Sequence, residues 1–77
     1  MKKDTIEQPN TAGQRTVRIN DIVEIYKDPI TEEHLEGHAR VWEIMSETDE
    51  FYSLIVSFMA DPHRRRVLRE YRKNNSK

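Results

Sequence analysis

A small, mainly β domain built on an antiparallel sheet is the fold this sequence predicts, and three observations carry it. Asp21-Ile22-Val23-Glu24-Ile25-Tyr26 is dominated by β-branched residues, with Val23 and Ile25 alternating against Glu24. Phe51-Tyr52-Ser53-Leu54-Ile55-Val56-Ser57-Phe58-Met59 combines aromatic and β-branched residues so that Leu54, Val56 and Phe58 share one strand face. Asp28-Pro29 and Asp61-Pro62 then break the chain where proline can donate no backbone hydrogen bond.

Taken in order, residues 1–15 hold Ile6 as the only sizeable apolar side chain after Met1, and Gln8-Pro9-Asn10-Thr11-Ala12-Gly13-Gln14 reads as loop, so a flexible arm is expected there. Residues 16–72 form the single globular body, and 73–77, without an apolar side chain, a frayed tail. The first strand ends at Lys27-Asp28-Pro29-Ile30. Residues 31–46 support two frames. Leu35, Ala39, Trp42 and Met45 keep helical spacing behind Thr31-Glu32-Glu33, which predicts a helix over 31–45, although Gly37 would weaken it by about 1 kcal/mol relative to Ala. In the other frame Gly37 is a turn, and Ala39, Val41 and Glu43 alternate against Arg40, Trp42 and Ile44 in a strand over 38–46.

Ser46-Glu47-Thr48-Asp49-Glu50 suits a hairpin loop leading into the 51–59 strand. The C-terminal stretch is again double. Asp61 as N-cap, Pro62 at the first helical position and Val67, Leu68 and Tyr71 on one side predict a helix over 62–73, with Arg72 and Lys73 at its negative end. Alternation of Val67, Arg69 and Tyr71 predicts a closing strand instead. Local signals favour the helix, so the expectation is a β fold with a short C-terminal helix or helical turn; the alternative is α+β, an antiparallel sheet with helices over 31–45 and 62–73.

Composition excludes several functional classes. A chain of 77 residues, 35% apolar and 35% charged, has little surface to spare for a catalytic cleft, so no enzyme is expected. The absence of cysteine rules out disulfides and thiolate zinc sites and fits a reducing cytoplasm. Met1-Lys2-Lys3 is followed by no apolar run, and nothing approaches the ~20 apolar residues of a membrane span, so a soluble protein without membrane contact is expected. With Gly13 and Gly37 the only glycines, no Gly-rich phosphate loop can be built, and no cofactor is expected.

The net charge of −1 hides a segregated layout. Up to Asp61 there are 13 acidic and 6 basic residues, whereas Pro62 to Lys77 carries 7 basic residues against Glu70 alone. Such segregation either positions an acidic partner or lets the basic end pair with the protein's own acidic surface.

The run Val23-Glu24-Ile25-Tyr26-Lys27-Asp28-Pro29-Ile30-Thr31, continued by Leu35-Glu36-Gly37-His38-Ala39 and Tyr52-Ser53-Leu54-Ile55-Val56-Ser57-Phe58, resembles small phage and bacterial proteins with an SH3-like barrel. Their pattern is an opening strand ending in Tyr-x-Asp-Pro-x-Thr, a long loop closed by Glu-Gly-x-Ala, and a central hairpin. The likeness covers about 17–60. It implies an SH3-like barrel in which 27–37 is a long first loop and 38–46 a strand. Residues 61–72, with Arg64-Arg65-Arg66, depart from the pattern, and no catalytic residue comes with it.

His34 and His38, beside Glu32, Glu33 and Glu36, could share a metal on a helix, but Leu35 stands where a zinc-protease helix needs Glu and Gly37 undermines the helix. Two solvated loop histidines are the simpler reading, so no metal is expected. The sharpest feature is Arg64, Arg65, Arg66, Arg69 and Arg72, whose planar forks suit phosphates or carboxylates, with Tyr71 near enough to stack a base. Paired with Glu43, Glu47 or Asp49, the same side chains would be a solvated surface. Strand alternation also turns Trp42 outward with Arg40 and Ile44 if Ala39, Val41 and Met45 face inward, leaving an exposed aromatic of the kind that marks interfaces. The expected function is a non-enzymatic module that binds another protein, as a phage-type accessory or inhibitory factor would, using Arg40, Trp42, Arg64, Arg65, Arg66, Arg69 and Arg72. The alternative is nucleic-acid binding through the C-terminal arginines, which the slightly acidic whole chain argues against.

Overall fold

A computed structural model describes residues 15–73. Four strands, β1 (Ile22–Asp28), β2 (Glu33–Glu47), β3 (Phe51–Phe58) and β4 (Val67–Arg72), form one antiparallel meander in the order β1-β2-β3-β4. The fold is mainly β, and the described residues contain no helix. No helix is therefore long and apolar enough to cross a membrane among them. The arm and tail expected at 1–15 and 73–77 lie outside the described residues except at Arg15 and Lys73, which are joined by a backbone hydrogen bond of 2.6 Å.

Of the two frames for 31–46 the strand holds and the alternative helix over 31–45 does not form: the strand runs over Glu33–Glu47, longer at both ends than the expected 38–46. Asp28 ends β1 by accepting hydrogen bonds at its carboxylate from the backbone of Ile30 (3.2 Å) and Thr31 (3.4 Å), and the chain re-enters the sheet at Glu33 rather than after a loop reaching to residue 37. Gly37 sits inside β2 because the Phe58 ring packs over it; a Cβ there would lie 3.1 Å from Phe58 Cδ1. An aromatic ring covering a strand glycine supplies the packing the missing side chain cannot.

β2 also carries an extra residue at three points, since Tyr26 pairs with Leu35 but Ile25 with Gly37, Val41 pairs with Val56 but Glu43 with Ile55, and Ile44 pairs with Leu54 but Ser46 with Ser53. Each bulge shifts the inward-outward phase by one residue. Ala39 and Val41 face the core as expected, but the bulge at Trp42 turns Ile44 inward and leaves Met45 53% exposed, which reverses the expected places of those two side chains.

The helix expected over 62–73 is replaced by a turn and a strand. Asp61 does cap, accepting the backbone N–H of His63 (3.0 Å) and of Arg65 (3.0 Å), but the turn stops at Arg64, whose φ is 50°. Beyond it, β3 offers an open edge, and pairing from Val67 with Val56 to Arg72 with Phe51 satisfies the backbone groups of β4 that face β3. A lone helix of about a dozen residues would be marginal in water, so tertiary pairing overrides the local signal.

The core holds Val17, Val23, Ile25, Ala39, Val41, Tyr52, Leu54 and Val56, with Ile44, Phe58, Val67 and Tyr71 packed against it. Each Leu or Ile buried completely contributes ~1.5–3 kcal/mol. The sheet does not close into the expected barrel. β1 and β4 remain its edges, and side chains span the gap between them: Arg15 pairs with Glu32, and Arg72 donates to the Ile30 carbonyl.

Candidate interaction face

Trp42 follows the fully buried Val41 in β2, so strand alternation presents its indole on the outer face, and the bulge at this residue changes the phase only beyond it. A tryptophan at a surface still needs a partner for its N–H. Here Nε1 donates to Ser57 Oγ at 2.7 Å, and the Ser57 hydroxyl donates in turn to the Arg64 carbonyl at 2.9 Å. Ser57 is the one buried polar residue in the described body, at 2% exposure, and both its hydrogen-bonding roles are filled. The relay ties the loop after β3 to the sheet. It also fixes the left-handed backbone of Arg64, whose Nη1 donates to the Met59 carbonyl at 2.5 Å and to that of Phe58 at 3.3 Å.

Arg66 emerges from this loop with its guanidinium 4.0 Å from the centre of the Trp42 ring, within cation–π distance. Arg40, on the neighbouring stretch of β2, donates to the Asn20 carbonyl at 3.3 Å. Arg40, Trp42, Ser57, Met59 and Arg64 enclose a concavity of about 210 Å³. Among the described residues, none of Arg40, Arg64 and Arg66 forms a salt bridge with a carboxylate.

The remaining arginines of the cluster are differently placed. Arg69 holds Glu36 through two hydrogen bonds of 2.9 and 2.8 Å, and this contact lowers the Glu36 carboxyl below its ordinary range and raises the guanidinium. Arg65 pairs with Asp61 at 3.0 Å, Arg72 reaches Ile30, and Lys73 pairs with Glu47 at 2.6 Å. Pairing within the chain therefore occurs, but with Glu36, Asp61 and Glu47 rather than Glu43 or Asp49. A larger groove of about 420 Å³ lies along this side, lined by Glu36, Phe58, Asp61, Arg65 and Arg69 among others. Its charges are matched internally, so it presents no net demand for a charged ligand.

His34 and His38 lie on the extended β2 rather than on one helix face, and His38 Nε2 stands 3.6 Å from the Glu24 carboxylate. No group of three or more potential metal ligands assembles among the described residues.

Sequence reasoning separates neither Ser57 nor Met59 as site residues. The signal for Ser57 is a hydroxyl at an outward strand position, where a nearby indole N–H requires an acceptor. No protein-family model, curated protein or solved structure matches this chain.

Proposed function

We propose that the protein is a non-enzymatic interaction module that binds an acidic segment of another protein through the face around Trp42, in the manner of a phage-type accessory or inhibitory factor. One observation carries this reading: Arg66 is stacked on an outward tryptophan while Arg40 and Arg64 flank it without carboxylate partners among the described residues. A guanidinium held flat on an aromatic ring keeps its donor edge free for a carboxylate, and aromatic-arginine clusters of this sort concentrate binding energy.

Nucleic-acid binding would draw on the same side chains. It is the weaker reading because Arg65, Arg69 and Arg72 are engaged within the chain. Selection from a random displayed-peptide library tests the proposal. The wild type should enrich acidic peptides, and R66Q and W42A, checked for folding by circular dichroism, should not. Failure to enrich any peptide, together with oligonucleotide binding whose log affinity falls steeply with log salt, would overturn it.

A further inference from the structure

The concavity beside Trp42 is lined by apolar as well as cationic side chains. It is lined by Trp42 and Met59 together with Arg40, Arg64 and the buried Ser57. The polar groups inside are already committed: the indole N–H to Ser57, the Ser57 hydroxyl to the Arg64 carbonyl, and an Arg64 guanidinium nitrogen to the Met59 carbonyl. Nothing but the arginine edges remains to read a polar ligand, so the hollow itself selects for apolar shape. At about 30 Å³ per water in the liquid, a space of about 210 Å³ holds several waters with few polar partners, and one apolar side chain would displace them favourably.

The surroundings extend the pattern. Ile55 on β3 is the register partner of both Glu43 on β2 and Leu68 on β4, and Leu68 is 58% exposed on the outer face two residues beyond Arg66. This row carries two apolar side chains across the outer face beside Trp42, with the exposed Glu43 at its β2 end. One face of the Trp42 ring is taken by Arg66, so a base could not be sandwiched on both faces of the indole.

Resting on the proposed protein-binding role, we infer that the ligand is an acidic-apolar peptide motif: one large aliphatic or aromatic side chain enters the concavity between Trp42 and Met59, and flanking Asp or Glu carboxylates seat on Arg40, Arg64 and Arg66. Methionine suits such a pocket because its flexible thioether adapts to side chains of different shape.

Trp42 is the only tryptophan in the chain, so its fluorescence reports on this site alone. The titration uses the full chain with three acetylated, amidated peptides, Glu-Glu-Leu-Glu-Glu, Glu-Glu-Ser-Glu-Glu and Lys-Lys-Leu-Lys-Lys, and an oligothymidylate. The leucine-containing acidic peptide should shift the emission and bind about tenfold or more tightly than its serine counterpart, the effect of burying one aliphatic side chain. The lysine peptide should not bind. M59S should erase the preference for leucine. Equal affinity for the leucine and serine peptides would overturn the inference and leave the broader protein-binding role intact. Binding of the oligothymidylate alone would overturn both. The comparison of peptides on the wild type needs no variant and survives any folding defect in M59S.

Discussion

Replacing Ser57 with Ala is the perturbation that most directly couples this fold to its candidate site. Ser57 is 2% exposed, accepts from Trp42 Nε1 at 2.7 Å and donates to the Arg64 carbonyl at 2.9 Å. S57A removes both bonds. Each is worth ~0.5–1.5 kcal/mol net, so the variant should lose about 1–3 kcal/mol. A domain of this size shifts by ~4–8 °C per kcal/mol, so Tm should fall by roughly 5–20 °C. Thermal unfolding by circular dichroism measures this, and the emission of the single tryptophan should change at the same time as its indole N–H turns to water. The loop carrying Arg64 and Arg66 also loses its tether, so acidic-peptide affinity should fall although no guanidinium has been removed. An unchanged Tm with unchanged emission would refute the relay and with it the account of how the arginines are positioned.

The packing and the charges set three further outcomes. L54A removes a fully buried core side chain and should cost ~2–5 kcal/mol, enough to leave a small domain largely unfolded by denaturant titration. G37V should lower Tm despite the better strand propensity of Val, because a Cβ at this position already stands 3.1 Å from Phe58 Cδ1; a rise in Tm would show that the ring moves aside freely. The Asp61 carboxyl is held down to about 2 from its ordinary 3.8, first by the His63 N–H and then by Arg65. A depressed carboxyl stabilises the fold above its ordinary value and loses that contribution as pH falls from 3.8 toward about 2, so D61N should flatten stability against pH in that window, measured by urea titration at stepped pH.

The sheet was legible where alternation is regular. β1 and β3 can be read directly from Val23, Ile25, Leu54, Val56 and Phe58, because each of these positions meets the core without a change of phase. β2 was not readable to its full length. Its bulges break the period of two, and Gly37, which locally argues for a turn, is held in the strand by a ring from β3 that no short-range rule contains. β4 was obscured for a related reason. Asp61 and Pro62 do start a helix-like turn, but whether it continues is decided by the open edge of β3, a contact between distant parts of the sheet.

At the site, the outward place of Trp42 and Arg40 was legible from alternation, and the arginine cluster from composition. Its division was not. Arg65, Arg69 and Arg72 turn to Asp61, Glu36 and Ile30, while Arg64 and Arg66 stay with Trp42, and this separation depends on the loop conformation that Ser57 and the left-handed Arg64 impose.

The central claim is that an acidic partner segment engages the face around Trp42. Mapping backbone and indole ¹H–¹⁵N shifts of the isotope-labelled protein on addition of the acetylated, amidated Glu-Glu-Leu-Glu-Glu peptide tests it most directly. The account predicts saturable shifts at the Trp42 indole N–H, Arg40, Met59, Arg64, Arg66 and Leu68, with Glu36 and Arg69 across the sheet unmoved. Shifts centred on the Glu36–Arg69 groove, or none at any peptide concentration, would contradict it.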